Sequence, residues 1–100
     1  MIYSDNHLAL KIATFCYNKL NLRGTYTLEV LPLEVMGYSY KDGAIEINEF
    51  LNPKEFGITI CHELVHCLQY ERDGTTNEEE AYALEEQLYK EYLNESRKNG

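Results

Sequence analysis

The chain has no tryptophan, only two prolines and three histidines, and nine basic residues against seventeen acidic ones. Each scarcity excludes something. With a net charge of −8 and no basic patch, nucleic acid is a poor partner, because phosphate binding needs Lys and Arg. No apolar run is long enough to span a membrane. Met1 to Asp5 is too polar to open a signal peptide, so none is expected. Cysteine is scarce and its count, three, is odd. Cys61 and Cys67 fall on one predicted helix and are poorly placed to bridge each other. Three free thiols in a reducing compartment follow, and the expected location is cytoplasmic. No repeat or low-complexity tract divides the chain, so residues 1–100 are expected to form one domain. A core this small is modest, and a bound ion would add usefully to its stability.

What is present reads as alternating elements. Ser4-Asp5 starts a helix on which Leu8, Ile12, Phe15, Cys16 and Leu20 recur at helical spacing, with Gly24 as a left-handed stop. His7, in its first turn, reads as an ordinary surface residue. Thr25 to Leu31 alternates as a strand, and Pro32 ends it. Val35 to Tyr40 is a weaker second strand, Lys41-Asp42-Gly43 a hairpin turn, and Ala44 to Asn48 a third strand with Ile45 and Ile47 on one side. Asn52-Pro53-Lys54-Glu55 is a helix N-terminus, although Gly57 suggests that regular helix begins nearer Ile58 and runs to about Glu71. Asp73-Gly74 turns the chain. Thr75 with Glu78, or Thr76 with Glu79, fits a capping box for a last helix with Ala81, Leu84, Leu88 and Tyr92 inside. The end, from Ser96 to Gly100, is expected to fray. The fold class is α+β: a helix, three short antiparallel strands, then two helices packed on the sheet.

One stretch carries chemistry: Cys61-His62-Glu63-Leu64-Val65-His66-Cys67. On a helix, side chains four apart share a face, so His62 and His66 can point at one ion. Neutral imidazole is a good zinc ligand. Glu63, next to the first ligand, can reach a water at the metal rather than the metal itself. A catalytic zinc usually keeps three protein ligands and one open position. No histidine follows His66, whereas carboxylates crowd the start of the last helix: Glu78, Glu79, Glu80, then Glu85 and Glu86. Most of that acidity reads as a solvated helix face. Cys61 and Cys67 read as small buried hydrophobes.

His62-Glu63-x-x-His66, followed on a second helix by Glu78-x-x-Ala81, resembles the gluzincin group of zinc metallopeptidases. The short chain is similar to its minimal single-domain members, the minigluzincins and small phage-type metallopeptidases. The resemblance spans roughly residues 43–85. It implies a zincin-like domain and a third zinc ligand on a glutamate helix, at Glu78, with Glu79, Glu80 and Glu85 as open alternatives. It also implies an edge strand over the site, matched by Gly43 to Ile47. Tyr82 departs from the pattern, standing where many relatives carry a second carboxylate. The spacer from His66 to Glu78 is short.

The implied function is a zinc metalloendopeptidase that hydrolyses peptide bonds through a zinc-bound water activated by Glu63, with Zn2+ held by His62, His66 and Glu78. The expected partner is a peptide or protein substrate, pairing along the strand Ala44–Asn48, and no membrane. Glu78→Gln should cost zinc affinity sharply, and the same change at Glu79 or Glu80 should be nearly silent if those residues face solvent. The alternative is a zinc-containing interaction or regulatory module without peptidase activity. A deformylase-like site would need Cys16 as third ligand, and no fitting segment surrounds it.

Overall fold

The computed structural model describes residues 1–99. Its elements are β1 (Ile2–Ser4), α1 (His7–Lys19), β2 (Tyr26–Leu31), β3 (Gly37–Ser39), β4 (Ala44–Asn48), α2 (Pro53–Asp73) and α3 (Glu78–Asn99). The class is α+β, but the sheet corrects the expected three antiparallel strands. It has four strands in the order β1-β2-β4-β3, and it is mixed. β1 pairs parallel with β2, and β2 pairs parallel with β4 in the register Thr27↔Ala44 to Leu31↔Asn48. Only β3 and β4 form the antiparallel hairpin, closed by Gly43 at φ 101°.

The physical reason lies in which strands can be buried. Ile45 and Ile47 of β4 are 1% and 0% exposed, so β4 belongs inside the sheet. β3 is Gly-Tyr-Ser, short and with little to bury, and suits an edge. β4 is therefore not the edge strand the sequence suggested; β3 is. β1 escaped the sequence reading because three residues carry no periodicity, and its pairing depends on a partner far along the chain.

α1 and α2 cover the sheet face that carries Tyr26, Leu28, Ile45 and Ile47, while Thr27 and Glu29 look outward. α3 lies on α2 and touches α1. The helix ends differ in detail from expectation. Asn6, not Ser4-Asp5, caps α1, accepting from the Ala9 N–H at 2.9 Å. The left-handed residue after α1 is Asn21, at φ 55°, rather than Gly24. Asn52 and Glu55 form the capping box of α2, and the helix starts at Pro53 without a break at Gly57. That glycine marks a close approach: a β-carbon there would stand 2.8 Å from Cδ1 of Tyr89, whose ring lies across α2. Gly74, at φ 75°, ends α2. Asn77, rather than Thr75 or Thr76, caps α3, taking the Glu80 N–H at 3.0 Å. α3 extends through Asn99; Gly100 lies outside the described residues. No described helix is long and apolar enough to cross a membrane.

Candidate metal centre

α2 passes between the sheet and α3, so residues 59–67 are buried on every side. Two rings stand on the side facing α3. His62 and His66 have centroids 4.7 Å apart with their planes at 90°. Their Nε2 atoms converge on one oxygen, Oε1 of Glu78, which is 3.3 Å from His62 Nε2 and in close contact with His66 Nε2. Their Nδ1 atoms point elsewhere and each finds a partner. His66 Nδ1 lies 2.8 Å from Gln69 Oε1, and His62 Nδ1 lies 3.6 Å from Glu85 Oε1.

Glu63 is 5% exposed. The hydroxyl of Ser39, on β3, stands 2.9 Å from both its Oε1 and its backbone oxygen. Burial pushes the Glu63 carboxyl above its ordinary value, against the Ser39 hydroxyl and the two histidines. β3 comes this close because position 37 is glycine. A β-carbon on Gly37 would stand 2.8 Å from Thr59 Cγ2 and 3.2 Å from Glu63 Cγ. One potential ligand atom each from His62, Glu63 and His66 falls within 4.8 Å of the others, a cluster that could hold a metal ion.

The carboxylates of α3 separate by position. Glu78, Tyr82 and Glu85 recur at intervals of four and three, and so share the face turned to His62. Glu78 opens the helix with its side chain 61% exposed. The Tyr82 ring sits 4.7 Å from that of His62. Glu85, 13% exposed, places a carboxylate beside His62. Burial raises its pKa, against the pull of His62. Glu79 faces solvent as expected. Glu80 is partly exposed but is not free: it accepts from Arg72 Nη2 at 2.7 Å and Gln69 Nε2 at 2.9 Å, and these bonds hold it below the usual carboxylate range.

Beside the cluster opens a cleft of about 630 Å³, walled by Val35, Met36 and Tyr38 on one side and by Tyr70 and Tyr82 on another. On the opposite side of α2, Cys61 Sγ stands 3.5 Å from Cys16 Sγ, and all three cysteines are free and buried. Burial pushes the Cys67 thiol up to about 12. The Cys16 contact and burial together raise Cys61. Such thiols are chemically inert.

The sequence reading missed Ser39 and Gln69 as neighbours of the cluster, and it named Glu85 only as an alternative third ligand rather than as the partner of His62 Nδ1. Gln69 is three residues after His66, so helical spacing could have found it. Ser39 carries no such signal, because it depends on where β3 crosses α2. Set against known protein families, curated proteins and solved structures, the chain matches none.

Proposed function

We propose that the protein is a zinc-dependent peptidase of the gluzincin type, with Glu63 as its general base. The observation that carries this is the convergence of His62 Nε2, His66 Nε2 and Glu78 Oε1 beside the buried carboxylate of Glu63. Two imidazole nitrogens and one carboxylate oxygen are a donor set that suits zinc and leaves a fourth position open. His62, His66 and Glu78 would hold the ion. When bound, zinc supplies a Lewis acid for the scissile carbonyl and lowers the pKa of water towards about 7.

The remaining steps belong to the chain's own side chains. Glu63 takes the proton of the attacking water and later delivers it to the leaving amine. Ser39 fixes one carboxylate oxygen, which leaves the other to face the water. Substrate would add to β3 rather than β4. The ladder bonds from Asn48 N to Met36 O and from Tyr40 N to Ala44 O leave Gly37 and Ser39 with backbone groups turned away from β4. An extended peptide can pair with that free edge along the cleft.

The test is direct. Purified protein should bind one zinc per chain and cleave a flexible peptide. Glu63→Gln should keep the zinc and lose at least about a hundredfold in hydrolysis, the scale of general-base loss. A zinc-loaded wild type that is inert towards a broad peptide library would instead favour a metal-containing interaction module.

A further inference from the structure

Gln69 is completely buried, yet it is neither a ligand nor a base in the reading above. A primary amide offers two acceptor places on oxygen and two donors on nitrogen. Here all four are used. Oε1 accepts from the Asn77 N–H at 2.9 Å and stands 2.8 Å from His66 Nδ1. Nε2 donates to the Asn77 carbonyl at 2.8 Å and to Glu80 Oε1 at 2.9 Å. The two bonds to the Asn77 backbone decide which end of the amide is which, because oxygen must meet the N–H and nitrogen the C=O. With the oxygen fixed, His66 Nδ1 can only donate to it. A neutral ring then keeps its lone pair on Nε2, the atom that faces Glu78.

Three of the four bonds leave α2 for the start of α3. Asn77 caps that helix and immediately precedes Glu78. We propose that Gln69 is a positioning residue for the metal site: it locks His66 in its Nδ1–H form and, through the Asn77 backbone, sets the first turn of α3 so that Glu78 meets both imidazoles. This rests on reading His62, His66 and Glu78 as the ligands. An amide placed only for packing would have no need to hold the two sides of the site in register.

The experiment uses the full chain, Zn2+ and Co2+ as probes, and nitrogen NMR of the imidazoles in metal-free protein. Metal-free wild type should show His66 Nδ1 protonated. Gln69→Met keeps the volume and removes all four bonds. It should weaken Zn2+ binding by about 10- to 100-fold, the usual effect of losing a ligand's outer partner, and shift the visible bands of bound Co2+. Leu64→Ala, made on the other side of α2, is the control for a merely structural loss: it should lower the melting temperature and leave the Co2+ bands in place. A folded Gln69→Met with wild-type Zn2+ affinity and unshifted bands overturns the proposal, and so does a neutral wild-type His66 with its proton on Nε2. If Gln69→Met does not fold, the wild-type nitrogen spectrum decides alone. Wild type that binds no Zn2+ removes the metal site and this proposal together, whereas a wild type that binds beside an unaffected Gln69→Met removes only the proposal.

Discussion

At about 100° per residue, Ile60, Cys61, Leu64, Val65 and Cys67 fall on one side of α2, and Thr59, His62, Glu63, His66 and Gln69 on the other. Both sides are buried: Leu64 and Ile60 are 0% exposed, and His62, Glu63 and His66 are 8%, 5% and 7%. The apolar side asks only for volume, and cores accept many side chains of about the right size. The polar side asks for a partner at every position. Ser39 serves Glu63, Glu85 serves His62, and Gln69 serves His66. Buried polar groups cost stability unless they are bonded. A helix needed only for packing would have less to satisfy with Leu and Ala on both sides, so the polar side is where a function should be sought.

The comparison can be broken by separating affinity from stability. The largest effect is expected on the polar side. Glu78→Gln should lower zinc affinity by more than the roughly 10- to 100-fold typical of an outer partner, while the solvent-facing Glu79→Gln leaves it unchanged. Chelator competition measures both, and equal affinities for Glu78→Gln and wild type would take Glu78 out of the site. Next comes the apolar side. Leu64→Ala should cost about 2–5 kcal/mol of folding stability in urea titrations, with the zinc affinity of the folded protein intact. A fall of affinity in step with stability would mean that the two sides are not independent.

The smallest effect is expected where α2 emerges into solvent. Burial works to raise the pKa of Glu71, but the Tyr26 hydroxyl and the N–H groups of Gly24 and Arg23 outweigh it and hold the carboxyl below its ordinary value. A depressed folded pKa stabilises the protein above the unfolded value, and that contribution is lost as pH falls through the folded one. Glu71→Gln should therefore have a lower urea midpoint than wild type near neutrality, with the gap narrowing below about pH 4. A gap that does not change with pH would assign the effect to lost hydrogen bonds alone.

The helices were legible because their signals are local. Asn52 with Glu55, the turn at Gly74 and the inner stripe of Ala81, Leu88 and Tyr92 all sit where the spacing puts them. The pair His62 and His66 was legible for the same reason, and their convergence with Glu78 needed one further helix start. The sheet was not. Alternation in residues 25–31 and 44–48 shows which side of a strand is buried but is silent about its neighbour, so a parallel β2–β4 pair looked like part of an antiparallel meander. The same ignorance put the free edge on β4 instead of β3. Glu80 looked solvated because a run of three glutamates cannot announce that Arg72 and Gln69 await one of them.

The turn at Gly74 also sets an order of events. His62, His66, Gln69, Glu78 and Glu85 are all carried by two successive helices joined by residues 74–77. Closing so short a connection costs little chain entropy, and contacts this local form early in folding. The sheet must wait for pairings between distant strands, such as Ile2 with Tyr26 or Leu28 with Ile45. Ser39 arrives at Glu63 only with that sheet. A refolding chain would on this account close the α2–α3 hairpin that carries His62, His66 and Glu78 first, and bring Ser39 to Glu63 last. On the proposed function, ion binding would then precede the orientation of Glu63.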